Sequence, residues 1–97
     1  MLPAVTTDVR DNRDEEQYEI WVDGERAGLV AYIRRPDVID LIHTEVDDRH
    51  QGKGIAGQLV AAVLDEARAA GLRVRPDCPY VRTYIDRHPQ YADLVDA

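Results

Sequence analysis

The stretch of sequence that decides the fold is Thr44–Val63, TEVDDRHQGKGIAGQLVAAV, which joins a strand-like apolar run to a helix-like segment. The turn inside it contains Gly52 and Gly54. A glycine-rich turn that opens a helix presents free backbone N–H groups at the positive end of the helix dipole. Such groups bind anions, and phosphate is the natural anion for them. The stretch therefore predicts a binding site for a phosphate-bearing cofactor.

The residues before this stretch have the alternation and the turn signals of antiparallel strands. We predict four strands, over residues 2–10, 17–22, 26–34 and 38–46. A charged turn over residues 11–16, the hairpin dipeptide Asp23–Gly24 and a turn at residues 35–37 would connect them. The last strand is apolar on both faces near its middle, which favours a central place in the sheet.

The residues after the glycine turn have helical spacing. Apolar residues recur from Ile55 to Ala67 and predict a helix over residues 55–70, which Gly71 would end in a left-handed conformation. We further predict a strand over residues 72–75, a helix over about 80–87 and a last helical turn within 90–97. This order predicts an α+β fold with a mixed, mostly antiparallel sheet, in a single domain over residues 1–97.

The composition narrows the classes of partner. The chain of 97 residues has 12 Lys and Arg against 19 Asp and Glu, which gives a net charge of −7. An acidic protein repels nucleic acid and anionic lipid, so we predict neither as a partner and favour an amine or a basic peptide. The single Cys78 excludes an intrachain disulfide, and no segment reads as a signal peptide or a membrane span. We therefore expect a cytoplasmic protein, either a monomer or a homodimer.

Two other kinds of site do not fit the residues. A nucleotide P-loop needs Ser or Thr after its lysine and a glycine five residues before its second one, whereas Gly54 follows Lys53 and Asp47 takes the first glycine's place. An ordinary strand–helix turn that merely requires glycine remains an alternative to phosphate binding. No two of the residues that could bind a metal have ligand spacing, so we predict no metal site; these residues are His43, His50, His88 and Cys78.

Four short motifs make the chain similar to the GNAT N-acetyltransferase superfamily. The acetyl-CoA signature of that superfamily, Q/R-x-x-G-x-G/A, resembles residues 51–56, QGKGIA. HTEV at residues 43–46, GKGIA at 52–56, CPYV at 78–81 and RHPQY at 87–91 resemble hallmarks of its very small, stand-alone members. The likeness spans most of the chain from the first hairpin onward.

The resemblance implies that the cofactor is acetyl-CoA or coenzyme A. The glycine loop would hold its pyrophosphate, and its pantetheine arm would lie in a gap between the strands at residues 38–46 and 72–75. The cofactor-binding residues implied in this way are Val46, Gln51, Gly52, Lys53, Gly54, Ile55, Ala56 and Tyr80. The activity implied is transfer of an acetyl group to a primary amine by direct attack.

The resemblance also suggests catalytic residues, each with a structural alternative. Glu45 would take the proton from the amine, or it is a solvated carboxylate beside the acyl group. Cys78 would be a nucleophile, a neighbour of the departing thiolate or simply a buried small side chain. Tyr84, with Tyr80 as second choice, would protonate the thiolate, or either tyrosine belongs to the core.

The chain departs from typical superfamily members between its first two strands. Where those members have one or two helices that shape the acceptor pocket, only residues 11–16 are available here. We therefore expect an open acceptor site, which favours a protein or peptide amine. The second hypothesis is a module that binds CoA or acyl-CoA as a sensor or interaction protein and has lost efficient transfer.

Overall fold

The computed structural model describes residues 6–96. It contains five strands and two helices, in the order β1 (Thr7–Asn12), β2 (Gln17–Val22), β3 (Glu25–Arg34), β4 (Val38–Val46), α1 (Ile55–Ala69), β5 (Arg73–Pro76) and α2 (Pro79–Arg87). Short 3₁₀ segments follow β4 at Asp48–His50 and α2 at Pro89–Leu94. Residues 2–5 of the first predicted strand and residue 97 of the last predicted turn lie outside the described residues.

The sheet has the strand order β1-β2-β3-β4-β5. The first four strands pair antiparallel, and β5 pairs parallel with β4. The predicted α+β fold with a mixed, mostly antiparallel sheet is therefore confirmed. The β2–β3 hairpin turns at Asp23 and Gly24, whose φ angles of 49° and 81° are both left-handed. This pair of angles explains why the sequence has Asp-Gly there.

The first turn was predicted two residues too early. Strand β1 continues through Asp11 and Asn12, so the connection to β2 is residues 13–16 and contains no helix. Asn12 pairs with Gln17 across the ladder, and the hydroxyl of Tyr32 donates to the Asp11 carboxylate at 2.6 Å. These cross-strand contacts keep Asp11 and Asn12 in the strand. Their polar character alone had predicted a turn.

Strand β4 is interrupted by a bulge. Ala31 of β3 faces His43, and the next residue, Tyr32, faces Leu41, so Ile42 has no partner across the ladder. Pairing between β4 and β5 ends at Leu41 and Pro76, although β4 runs on to Val46. A gap therefore opens between the end of β4 and the chain that follows β5.

One face of the sheet packs on both helices. The core has its fully buried side chains on β2, β3, β4, β5, α1 and α2, and the largest of them are Ile20, Ile39, Leu41, Leu59, Leu64, Val30, Val60, Val63, Val74 and Val81. The predicted helical spacing of apolar residues in α1 is confirmed, because Leu59, Val63 and Ala67 are all buried. Alternate residues of the strands lie on the other face, where Leu29 is half-buried and Ile33 is 41% exposed.

The segment after α2 returns along the outer side of β5. Val95 forms a parallel bridge with Val74, and the Asp96 N–H donates to the Val74 carbonyl at 2.8 Å. Arg68 of α1 holds this segment by donating to the Asp93 carboxylate at 2.8 and 2.9 Å. The segment therefore covers the last strand of the sheet and ties it to α1.

Candidate active site

The glycine turn leaves the backbone at the N-terminus of α1 accessible. Gly52 and Gly54 both have a φ of 76°, a left-handed conformation that strains any residue with a Cβ. A Cβ added at either position would meet no atom within 4 Å, so the space above them is free. Gly54 is the residue that caps α1, and no side chain bonds the first N–H groups of the helix. The turn therefore presents unpaired donors to an open surface.

A groove of about 390 Å³ runs from this turn to the end of β4. Its lining residues are Thr44, Val46, His50, Gln51, Gly52, Gly54, Ile55, Ala56, Gly57 and Tyr80. We call this the cofactor groove. It brings together every predicted cofactor-binding residue except Lys53, which lies in the turn without lining the groove. The roles of these residues remain predictions.

Sequence reasoning missed three residues of the groove: Thr44, His50 and Gly57. A signal existed for Thr44, because it alternates with Val46 and so shares its side of the strand. Gly57 lies in the first turn of α1, where an added Cβ would be 3.7 Å from Tyr84 Cε2 and 3.9 Å from the Tyr80 hydroxyl. These are ordinary van der Waals distances, so both tyrosines of α2 pack against the first turn of α1 at this position, a contact that no local pattern reveals.

Cys78 spans the gap between β4 and α2. Its side chain is buried, and its N–H donates to the carbonyl of Leu41 at 2.8 Å. Its Sγ lies 3.3 Å from the Oγ1 of Thr44, which lines the cofactor groove. The hydrogen-bond partner of this thiol is thus the hydroxyl of a threonine.

Glu45 lies on the other side of β4 from Thr44. Its exposed carboxylate is 3.3 Å from the Nε2 of His43, and it lines a second groove of about 560 Å³. The two grooves share Val46 and Gln51 as lining residues. The structure therefore places Glu45 next to the end of the cofactor groove, across the strand from Thr44.

The two tyrosines of α2 differ in their surroundings. Tyr80 is 43% exposed and lines the cofactor groove. Tyr84 lies behind it, stacked on the His88 ring with centroids 3.9 Å apart, and lines a smaller pocket of about 210 Å³. Burial, with smaller contributions from Tyr80 and Asp65, raises the pKa of Tyr84. Its phenol therefore keeps its proton at neutral pH.

Within residues 6–96, no group of three or more His, Cys, Asp or Glu side chains is arranged to hold a metal ion. None of the helices in this part of the chain is long and apolar enough to cross a membrane.

A profile of the family described as GCN5-related N-acetyl-transferase matches residues 17–94, which is most of the chain. The chain belongs to this family. The matched region contains β2 through α2 and therefore includes both grooves and every predicted site residue.

Family relatives of similar length support this assignment. Protein NATD1 of mouse is 32% identical over 91 residues, which cover 90% of this chain and 83% of the mouse protein. Protein NATD1 of Xenopus tropicalis is 31% identical over 99 residues, which cover 98% of this chain and 91% of the frog protein.

Solved structures share the fold. A GCN5-like protein from Staphylococcus aureus superposes with a TM-score of 0.68 at 22% identity, over 93% of this chain and 88% of that chain. The ribosomal-protein-S18-alanine N-acetyltransferase of Escherichia coli gives 0.62 at 17% identity, over 74% and 50% of the two chains. The aminoglycoside N-acetyltransferase AAC(6')-Iy in complex with CoA gives 0.58 at 15% identity, over 100% and 93%. At these identities the likeness concerns the fold alone.

Proposed function

We propose that this protein is an acetyl-CoA-dependent N-acetyltransferase that moves an acetyl group to a primary amine by direct attack. The observation that carries the proposal is the open start of α1, where two left-handed glycines leave backbone N–H groups unpaired above free space. Membership of the GCN5-related family supports it, as does the presence of a CoA complex among the proteins of similar fold.

The turn has the features that a diphosphate requires. Its N–H groups and the positive end of the α1 dipole supply donors, and Lys53 adds a cation to the same turn. Gln51 keeps the turn in place, because its side chain donates to the carbonyl of Val46 at 3.3 Å and to the Asp48 carboxylate at 3.4 Å. The free space above Gly52 and Gly54 admits phosphate oxygens without a side-chain clash.

The gap beyond Leu41 would take the pantetheine arm. From Ile42 to Val46, β4 has β3 on one side and no described strand on the other. Except for the Val46 carbonyl, which accepts from Gln51, the backbone groups on the open side can bond an extended ligand. Bound acetyl-CoA supplies an activated thioester. We place that thioester near Thr44 and Cys78, where β4 and α2 come together.

The chemistry assigns a task to each predicted catalytic residue. A new C–N bond forms as the amine attacks the acetyl carbon, the C–S bond breaks, and the amine loses a proton to Glu45 directly or through water. The thiolate that leaves gains a proton from Tyr84, whose raised pKa keeps the phenol protonated, or from Tyr80, which lines the cofactor groove. Alternatively, Cys78 stabilises the thiolate. An acyl-thioester on Cys78 is the alternative route, and intact-mass measurement after mixing with acetyl-CoA would detect it.

The second hypothesis is a CoA-binding module without efficient transfer. The observation that favours it is the helix-free connection at residues 13–16, where the resemblance to the superfamily implies one or two helices that shape the acceptor pocket. Release of CoA from acetyl-CoA in the presence of a panel of amines and basic peptides discriminates the two. Turnover on any amine supports the enzyme, and tight binding without turnover supports the module.

The cofactor site itself is tested by Gly54→Glu. We expect at least about a 100-fold loss of CoA affinity in calorimetry, because a carboxylate at this turn repels the diphosphate and fills its space. The matched control is Gly71→Glu, since Gly71 also has a left-handed φ, of 71°, and no atom within 4 Å of an added Cβ. It lies at the other end of α1. Equal affinity of the two variants would refute the loop assignment.

A further inference from the structure

We propose that the groove beside Glu45 is the acceptor site and that it selects a lysine side chain of a cationic peptide. This inference rests on the proposed function and names its substrate class. We call this groove the acceptor groove. Its volume is about 560 Å³, and its lining includes Arg26, Leu29, Glu45, Asp47, Asp48 and Arg49.

The position of the acceptor groove suits an amine that attacks a thioester. It shares Val46 and Gln51 with the cofactor groove, so the two grooves meet at the end of β4. Glu45 lines the acceptor groove only, whereas Thr44, which contacts the Cys78 thiol, lines the cofactor groove only. An amine in the acceptor groove therefore approaches the strand end with the proposed base beside it.

The arginines of the acceptor groove already have partners. Arg26 lies 3.5 Å from the carboxylate of Glu19, which is 5% exposed, and Arg49 forms an ion pair with Glu25. Burial opposes the charge of Glu19, but hydrogen bonds from Gln17, Asn12 and Trp21 outweigh it and lower the pKa of this carboxyl. Glu19 therefore stays ionised at neutral pH and keeps Arg26 paired.

The carboxylates of the acceptor groove are less well compensated. The Asp48 carboxylate accepts from the neutral amide of Gln51 at 3.4 Å, and Glu45 has the imidazole of His43 at 3.3 Å. Asp47 adds a third carboxylate at the same strand end. With both guanidiniums paired, the groove presents a net negative charge, which attracts an ammonium group and repels a free carboxylate. A free amino acid is thereby a poorer acceptor than a lysine within a peptide.

An apolar floor favours an amine on an aliphatic stem. Leu29 lies directly across the β3–β4 ladder from Glu45 and is half-buried. Its neighbour Gly28 has no side chain, and an added Cβ would come within 2.8 Å of the Glu45 carbonyl oxygen. The apolar surface beside the carboxylates is therefore Leu29, against which the methylene groups of a lysine can pack.

The experiment compares transfer to matched peptides. The substrate is an N-acetylated, amidated peptide with one lysine between two arginines, and the matched peptides place the lysine between two glutamates or replace it by norleucine. Acetylation is followed by mass spectrometry with acetyl-CoA. We expect transfer to the arginine-flanked lysine with at least about tenfold higher kcat/KM than to the glutamate-flanked one, and none to norleucine. Equal rates on both lysine peptides would overturn the proposal.

Two double variants locate the site. Asp47→Asn/Asp48→Asn should raise KM for the cationic peptide about tenfold. CoA affinity should change less than about twofold, because the amide oxygen that replaces the Asp48 carboxylate can still accept from Gln51. Asp14→Asn/Glu15→Gln removes the same charge from the exposed β1–β2 connection and should change KM less than about twofold. Loss of peptide selectivity in the second variant and not in the first would overturn the assignment.

A direct binding measurement separates this proposal from the proposed function. Amide chemical shifts of the wild-type protein are recorded as the arginine-flanked lysine peptide is added without acetyl-CoA. We expect shifts at Leu29, Asp47 and Asp48, and smaller ones with the norleucine peptide. If CoA fails to bind but these shifts appear, the proposed function fails and the acceptor groove stands. If CoA binds and these residues do not shift, the acceptor groove is refuted alone.

Discussion

The two halves of β4 show how one strand serves both the fold and the site. Over Val38–Leu41 the strand pairs with β3 and β5, and Ile39 and Leu41 are buried in the core. From His43 to Val46 it pairs with β3 only, and Thr44, Glu45 and Val46 line the two grooves. The bulge at Ile42 separates the halves. The paired half should therefore carry stability, and the half beyond the bulge should carry binding and catalysis.

The largest expected effect is on the paired half. Leu41→Ala removes a fully buried side chain and should lower the free energy of unfolding by about 2–5 kcal/mol. Val46→Ala, in the other half, removes a half-buried side chain and should cost about 1 kcal/mol. Urea denaturation monitored by circular dichroism gives both values. Similar losses for the two variants would show that stability is not divided at the bulge.

The next effect concerns the half beyond the bulge. Glu45→Gln keeps the shape of an exposed side chain and removes the proposed base, so kcat should fall about 100-fold. The free energy of unfolding and the affinity for CoA should stay unchanged. Glu15→Gln makes the same chemical change in the β1–β2 connection and should leave kcat unaltered. An unchanged kcat in Glu45→Gln would assign proton removal to another group.

The smallest effect is a pH dependence in the paired half. Asp40 is 6% exposed, and one of its carboxylate oxygens has no hydrogen-bond partner. Burial first, and then the neighbouring Asp77, raises the pKa of Asp40 above its ordinary value of 3.8, against weaker opposing contributions from Arg75 and Arg35. The folded state therefore holds this proton more tightly than the unfolded state, so stability falls as pH rises from about 3.8 through the folded pKa.

Asp40→Asn tests this dependence because an amide cannot ionise. The variant should match the wild-type free energy of unfolding most closely below pH 3.8, and its relative stability should rise through the titration of Asp40. Chemical denaturation at a series of pH values measures the difference. Glu19→Gln should show the opposite slope, because its folded-state pKa is lowered. A difference independent of pH would mean that Asp40 titrates normally.

Local signals explain why much of the fold is predictable from sequence. Alternation located β2 to the residue, and the turn at residues 35–37 with the apolar run after it located β4. Asp23–Gly24 located the hairpin that leads into β3. The glycine turn and the start of α1 are equally local, because left-handed backbone angles at Gly52 and Gly54 demand glycine. The sequence therefore located five residues on the turn side of the cofactor groove but missed His50 and Gly57.

Contacts between distant residues explain what the sequence did not reveal. Thr44 and Cys78 are 34 positions apart, and only the parallel pairing of β4 with β5 brings them together. The acceptor groove depends on Leu29 facing Glu45, which the register of the β3–β4 ladder determines. Asp40 lies in an apolar run of β4, and its neighbour Asp77 belongs to the chain that follows β5. None of these features has a periodic signature.

The return of the chain along β5 has a consequence for self-association. Because Val95 and Asp96 occupy the outer backbone groups of Val74, β5 does not offer a bare hydrogen-bonding row to another molecule. Arg73 reinforces this cover by donating to the Val95 carbonyl at 2.6 Å. At the opposite edge of the sheet, β1 carries the charged side chains of Asp8 and Arg10. Charges on an edge strand discourage it from pairing with the edge strand of another copy. The two edges of the sheet are thus protected in different ways: β5 is covered by backbone from the end of the described chain, and β1 carries ionised side chains.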